Sequence, residues 1–149
     1  MGIFHTILHP TDFDACSLEA FRVSRALAHQ LGTKVVAFHV VSPPAVVMDD
    51  GRVIMDPKVP TPVDIWADYR AAQADSPDVP IEYSVVVGKH NEATRMLVEL
   101  IGENANGVLL VIGTHGRTGL SRMIWGNRAE EVIRTAPCAV LVVKEPAAS

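Results

Sequence analysis

The chain has 149 residues, of which 48% are hydrophobic and 20% charged, and its formal net charge is -4. This size and composition predict one globular domain, residues 1–149, with a buried core. The acidic balance disfavours general nucleic-acid binding, and no apolar run approaches the roughly 20 residues of a membrane-spanning helix. With no signal-peptide pattern at the N-terminus, we expect a cytoplasmic protein without nucleic-acid or membrane partners.

Five short apolar segments predict β-strands. They are Thr6–Pro10, Lys34–Val41, Ile81–Val87, 108–112 and Ala139–Lys144. Most of their residues are apolar, without strict alternation, as in a parallel sheet covered on both faces. We therefore expect both faces of the sheet to be buried by helices.

Helical periodicity separates these strands. Apolar residues recur every three or four positions between Ala20 and Leu31, where Gly32 supplies a stop signal. Another apolar stripe follows Asn91, a candidate N-cap, and a last helix is predicted over residues 127–135. Strands and helices thus alternate along the chain.

This alternation predicts an α/β fold, a single-domain doubly wound five-stranded parallel sheet with strand order 3-2-1-4-5 and helices on both faces. In such a sheet, ligands bind at the carboxyl ends of the strands, at the switch point between the first and fourth strands. The segment after Pro10 should therefore face the segment after Ile112.

Residues 42–62 are too long and proline-rich for an ordinary connection of about 2 to 6 residues. Two apolar triplets flank Asp49, Asp50 and Gly51, and an Asp-Gly pair favours a two-residue hairpin turn in which both residues have φ > 0. A projecting hairpin could cover the site or reach a partner subunit. The alternative is a mobile excursion whose valines are only partly ordered.

A basic glycine-rich segment, GTHGRTGLSRMIWGN, occupies residues 113–127. Gly113, Gly116 and Gly126 would let backbone amides approach an anion closely. No acidic residue lies between Glu103 and Glu130. Three arginines fall in or beside the segment, namely Arg117, Arg122 and Arg128. The segment is suited to one small anion, although these arginines could equally be solvated surface charges.

Three other side chains are candidates for the same site. Asp12, after the first strand, could bind a metal ion, a ribose hydroxyl or a base edge, or could cap the helix predicted to begin near Ser17. Asn127 at the predicted start of the last helix could cap it or hold a phosphate oxygen. His115 lies within the glycine-rich segment and could contact a ligand through its ring or backbone.

The sequence gives little support to a redox site, a metal-binding cluster or a P-loop. The spacing of Cys16 and Cys138 predicts two reduced thiols rather than a redox or zinc pair. The six histidines form no metal-binding pattern, and we expect His9 and His39 to be satisfied polar residues at strand ends. The P-loop sequence GKS or GKT is absent, and no base or arginine is evidently placed for rapid phosphoryl transfer.

Four segments together resemble the universal stress protein family over essentially the whole chain: ILHPTDF, AFHVV, VIGTHGRTGLSRMIWGN and APCAVLVVK. The third matches the family's ATP-binding pattern of glycine, two residues, glycine, nine residues, then glycine with serine or threonine, except that Asn127 stands last. The resemblance implies the doubly wound fold and an ATP site, with Mg²⁺ held through Asp12.

The resemblance also implies site residues. The adenosine side would be Pro10, Thr11, Asp12 and Val40. The ribose and phosphates would lie around Gly113, Gly116, Gly126, Asn127 and Arg128. We add His115 and Arg117 as candidates, because they lie within the same glycine-rich segment.

Many members of this family dimerise through the final strand, and the strand that starts at Ala139 and includes Val143 would otherwise leave an apolar edge. We therefore expect a homodimer, with a further protein partner that the sequence does not name. Three functions follow, in decreasing order of support: a nucleotide-responsive regulatory or protective module, a dimeric interaction module that binds no nucleotide, and a slow adenine-nucleotide hydrolase.

Overall fold

Seven strands and four α-helices follow one another in the computed structural model, which describes residues 2–56, 58–114 and 124–144. In chain order they are β1 (Thr6–Pro10), α1 (Ala15–Leu31), β2 (Lys34–Val41), β3 (Val46–Val47), β4 (Val53–Ile54), α2 (Ala67–Gln73), β5 (Ile81–Val87), α3 (Ala93–Ile101), β6 (Val108–Thr114), α4 (Ile124–Thr135) and β7 (Ala139–Lys144). Short 3₁₀ turns at His90–Glu92 and Gly102–Gly107 flank α3.

Five of the strands form one parallel sheet in the order β5-β2-β1-β6-β7. This order confirms the predicted 3-2-1-4-5 arrangement, because β3 and β4 form a separate two-stranded sheet. All five predicted strands are present. The fourth, β6, extends two residues beyond the predicted end, so that Gly113 and Thr114 pair with β7 instead of opening a loop.

Helices cover both faces of the sheet, as the apolar strands predicted. Alternate residues of β1 show the division: Ile7 packs with α1 and α2, whereas Leu8 packs with α3 and α4. Both side chains are almost completely buried. No helix in the described ranges is both long and apolar enough to cross a bilayer.

Helix α1 begins and ends on strong local signals. Asp14 is its N-cap, and the carboxylate accepts a hydrogen bond from the Ser17 amide at 2.7 Å. At the other end Gly32 has φ 66° and its N–H returns to the Ala28 carbonyl. The capping role considered for Asp12 therefore belongs to Asp14.

The starts of two helices differ from the sequence prediction. A 3₁₀ turn precedes α3, and the N-cap is Glu92, so the cap predicted at Asn91 is wrong. Helix α4 begins at Ile124, three residues before the predicted start at residue 127. Asn127 consequently lies inside the helix, and its interpretation as an N-cap is wrong.

The predicted hairpin in residues 42–62 is confirmed, although its turn differs. Strands β3 and β4 pair antiparallel, and the Met48 amide donates to the Arg52 carbonyl across a three-residue loop. Gly51 has φ 85°, whereas Asp50 does not take the positive φ that a two-residue Asp-Gly turn needs. The fully buried Val53 anchors the hairpin to the body of the protein.

Both cysteines are free thiols, which confirms the sequence prediction. Cys16 is buried in the first turn of α1, and Cys138 is half-buried just before β7. Burial raises the pKa of the Cys138 thiol, so this group is protonated at neutral pH.

Candidate functional site

The strands β1 and β6 part at their carboxyl ends. Their pairing ends at Leu8 and Leu110, whereas β1 stays paired with β2 as far as Pro10 and β6 stays paired with β7 as far as Thr114. The sheet thus opens at the switch point between its two halves. Such a crevice is where open α/β sheets bind ligands.

Residues 10–14, which we call the β1–α1 turn, border this crevice and are fixed by local hydrogen bonds. The Asp12 amide donates to Ser17 Oγ at 3.3 Å, and the Phe13 amide donates to Thr11 Oγ1 at 2.9 Å. Phe13 has φ 64°, a left-handed conformation that is rare for a bulky residue. Strained backbone of this kind persists only where its surroundings hold it, and it occurs often at functional sites.

Aromatic side chains hold Phe13 in that conformation. Its ring centroid lies 4.5 Å from that of His39, 4.9 Å from that of Trp66 and 5.5 Å from that of Tyr69. Trp66 and Tyr69 are themselves only 1% exposed. Because Phe13 is anchored inward, the turn is held to the α1 and α2 side of the sheet.

Thr11 is completely buried, and its polar groups bond to neighbouring parts of the protein. Its amide donates to the Phe38 carbonyl at 2.9 Å, and its carbonyl accepts from His39 Nδ1 at 2.6 Å. Its hydroxyl bonds to the hydroxyl of Tyr69 and accepts from the Phe13 amide. Thr11 therefore holds the turn in place. Its predicted contact with a nucleotide stays a prediction.

The other residues predicted on the adenosine side lie on the same edge of the sheet. Pro10 is buried and paired with Phe38, while Asp12 is half-buried directly beyond the end of β1. Val40 is 3% exposed near the end of β2 and packs toward α3. The fold thus brings Pro10, Thr11, Asp12 and Val40 to neighbouring strand ends.

Gly113 lies in β6 at a close contact with α1. A Cβ atom at this position would lie 2.4 Å from the Cys16 carbonyl oxygen and 3.2 Å from the Ser17 nitrogen. The glycine is therefore required by packing, whatever the site binds. Its sequence context suggested an anion-binding loop, whereas the contact with α1 was not visible in the sequence.

The remaining residues of the glycine motif follow β6. Gly126 lies in the first turn of α4, where amides without intrahelical partners and the helix dipole favour a negative charge, and Asn127 and Arg128 follow it in the helix. His115, Gly116 and Arg117 fall outside the described residues. The predicted roles of all six stay predictions.

A buried pair, His9 and Tyr69, lies beneath the β1–α1 turn. His9 Nδ1 lies 3.1 Å from the Val111 carbonyl, and Nε2 lies 3.1 Å from the Tyr69 hydroxyl. Burial lowers the pKa of His9 to about 4, so the ring is neutral at pH 7. The sequence predicted a satisfied histidine here, but no signal identified Tyr69, which lies 60 residues away.

Metal ligation rests on Asp12 alone. In the described part of the chain, no three His, Cys, Asp or Glu side chains are grouped so that they could hold a metal ion. Mg²⁺ is commonly held by one or two carboxylates together with phosphate oxygens of the substrate. The prediction of Mg²⁺ at Asp12 therefore concerns a metal that would arrive with a nucleotide.

A cavity of about 630 Å³ lies at the opposite, amino-terminal edge of the sheet. Its lining includes His29, Leu31 and Asp78. The end of α1 lies here, and the partial negative charge of a helix C-terminus disfavours phosphate. We therefore regard the switch-point crevice as the better candidate for an anionic ligand.

Comparison with protein-family models matches residues 3–144 to the universal stress protein family. A universal stress protein of Thermus aquaticus is 27% identical over 143 residues, which span 95% of this chain and 100% of that protein. Universal stress protein MJ0531 of Methanocaldococcus jannaschii is 58% identical over 38 residues, but these span only 26% of this chain and 22% of that protein.

Solved structures agree on the fold. A crystal structure of a universal stress protein in complex with cAMP superposes with a TM-score of 0.64 at 24% identity, covering 97% of this chain and 99% of that one. A universal stress family protein from Burkholderia pseudomallei gives a TM-score of 0.59 at 20% identity, covering 95% and 96%. At these identities the likeness establishes the doubly wound architecture.

Proposed function

Because the chain belongs to the universal stress protein family, we propose that it binds ATP in the crevice at the carboxyl ends of β1 and β6. The observation that carries this proposal is the separation of β1 from β6 beyond Leu8 and Leu110, beside a turn already fixed in one conformation. Preorganisation of this kind lowers the cost of ordering a site on binding. A structural neighbour bound to cAMP supports an adenine nucleotide as the ligand.

In this arrangement the adenosine contacts the end of β1 and the region of Val40, and the phosphates extend toward the start of α4. The amide of Gly126 in the first turn of α4 suits a phosphate oxygen, and Asn127 and Arg128 follow it in the helix. His115, Gly116 and Arg117 complete the phosphate side. Asp12 holds Mg²⁺ together with the phosphates or accepts a ribose hydroxyl.

The proposed role is that of a nucleotide-responsive regulatory or protective module in the cytoplasm, acting on a protein partner. Hydrolysis of ATP is at most slow in this proposal. Rapid phosphoryl transfer needs a placed base and charge stabilisation, which neither the sequence nor the described site supplies in recognisable form.

We also propose that the protein is a homodimer joined through β7. The outer strand β7 carries Leu141 with 36% of its surface exposed, and an apolar strand edge is a natural site for pairing. At the opposite edge of the sheet, β3 of the hairpin packs against β5 and makes that edge less available for pairing with another chain. A sedimentation-equilibrium mass twice that of the chain would support the dimer, and a monomer mass would contradict it.

A second candidate function is a dimeric interaction module that binds no nucleotide. The contact of Gly113 with Cys16 favours it, because the first glycine of the motif has a packing role that needs no phosphate. Calorimetry separates the two candidates. Purified protein that contains no nucleotide after denaturation and shows no heat with ATP and Mg²⁺ would favour the interaction module.

The charge of Asp12 provides a sharper test. We expect Asp12→Asn to weaken ATP binding in the presence of Mg²⁺ by about tenfold, because the variant loses a charged ligand for the metal or the ribose. Asp68→Asn on the exposed face of α2 is the matched control and should leave the affinity within about twofold. Equal affinities for Asp12→Asn and wild type would place the nucleotide elsewhere.

A further inference from the structure

The hydroxyl of Tyr69 joins three parts of the site through one hydrogen-bond chain. It bonds to Thr11 Oγ1 in the β1–α1 turn and to His9 Nε2 in β1, while His9 Nδ1 reaches the Val111 carbonyl in β6. These groups lie on both sides of the place where β1 and β6 part. Tyr69 itself belongs to α2, far from the turn in sequence.

The direction of each hydrogen bond follows from its partners. The Val111 carbonyl only accepts, so His9 Nδ1 carries the proton, and in the neutral ring Nε2 must accept. Tyr69 therefore donates to His9, and its oxygen accepts from the Thr11 hydroxyl. The Thr11 oxygen in turn accepts from the Phe13 amide. One chain of donors thus runs from the turn to β6.

The three side chains of this chain are buried. His9 and Thr11 have no exposed surface, and Tyr69 is 1% exposed. Removing one hydroxyl would leave a buried donor and a buried acceptor without partners, which water outside the site could not replace. The Tyr69 hydroxyl is therefore one of the groups that hold the turn.

The ring of Tyr69 supports the same turn by packing. It lies 5.5 Å from the ring of Phe13, the residue with φ 64°, and 4.2 Å from the ring of Phe21 in α1. The ring of Tyr69 packs against Phe13, and its hydroxyl bonds to Thr11, so the two parts of this side chain hold neighbouring residues of the turn. Asp12 lies between these two anchored residues.

We propose that Tyr69 is a positioning residue for the nucleotide site: from α2 it fixes the β1–α1 turn so that Asp12 faces the crevice in a binding-ready position. This inference rests on the proposed function. It also links α2 to the site, so that nucleotide binding and the stability of α2 favour one another.

Tyr69→Phe tests this inference, because it keeps the ring and removes only the hydroxyl. Tyr83→Phe is the matched control: its hydroxyl donates to Gln73 at 2.8 Å instead of to the β1–α1 turn, and its ring also contacts Trp66. We expect Tyr69→Phe to weaken ATP binding, measured by calorimetry, by about tenfold, and Tyr83→Phe to remain within about twofold of wild type.

Amide hydrogen exchange without nucleotide is the second readout, so that the inference does not depend on ATP binding. We expect exchange at the Phe13 amide to be about tenfold faster in Tyr69→Phe than in wild type, after correction for any difference in the global free energy of unfolding. In Tyr83→Phe the corrected exchange rate at Phe13 should be unchanged. If wild type binds no ATP, the proposed function fails, and exchange alone decides whether Tyr69 positions the turn. Unchanged exchange at Phe13, or equal loss of affinity in both variants, would overturn the inference.

Discussion

Gly113→Ala should lower the free energy of unfolding by about 3 kcal/mol, with or without nucleotide. The added Cβ would lie 2.4 Å from the Cys16 carbonyl oxygen and 2.7 Å from its carbonyl carbon. Both are backbone atoms in the first turn of α1, and β6 is held at Gly113 by its pairing with β7. Relief of the clash therefore requires movement of a helix or of an internal strand. Urea denaturation measures the effect directly.

Gly88→Ala is the matched control for this substitution. Its Cβ would also meet a neighbour, but that neighbour is the Met96 sulfur at 2.6 Å, at the far end of a flexible side chain. Rotation of Met96 relieves the overlap, so we expect a loss below about 1 kcal/mol. If both variants were equally stable, the packing role of Gly113 would be refuted, and its place in the motif would need a phosphate-based explanation.

Acidification should destabilise the protein through His9 by up to about 3 kcal/mol. In the unfolded chain His9 takes up a proton near pH 6.5, whereas burial lowers its pKa in the folded protein to about 4. The unfolded state therefore binds more protons between these two values. Stability is greatest above pH 6.5 and falls as the pH approaches 4, because each pKa unit corresponds to about 1.4 kcal/mol.

The comparison of His9→Gln with wild type isolates this contribution from that of the carboxyl groups. Denaturation at several pH values between 4 and 7 should show a shallower loss of stability in His9→Gln, even though that variant is less stable at neutral pH. His29→Gln, at an exposed position on α1, is the control for replacing a histidine by glutamine. A slope in His9→Gln as steep as that of wild type would contradict this expectation, because it would mean that the pKa of His9 is the same in the folded and the unfolded protein.

The sheet could be predicted from the sequence because its signals are local. Each central strand is an apolar run of five to eight residues, and the switch point follows from the strand order alone. Gly113 and Thr114 belong to the glycine-rich segment predicted to follow the strand, yet pairing with β7 extends β6 through both. At Gly113, pairing with the neighbouring strand β7 thus outweighs the low strand propensity of glycine.

The internal support of the site could not be predicted in the same way. The Thr11 and Tyr69 hydroxyls meet across 58 residues of sequence, and only the packing of α2 onto the sheet brings them together. The sequence suggested Asp12 as a cap of α1, whereas the side chain of Asp14 accepts from the Ser17 amide. Asp12 lies directly beyond the end of β1.

Titration of ATP and Mg²⁺ into ¹⁵N-labelled protein, followed by amide chemical shifts, tests the central claim most directly. We predict saturable shifts at Asp12, Val40 and Gly113, and little change at Lys34 and Val79, which line the cavity at the amino-terminal edge. Saturable shifts confined to Lys34 and Val79, or no shifts at all at millimolar ATP, would contradict an ATP site between β1 and β6.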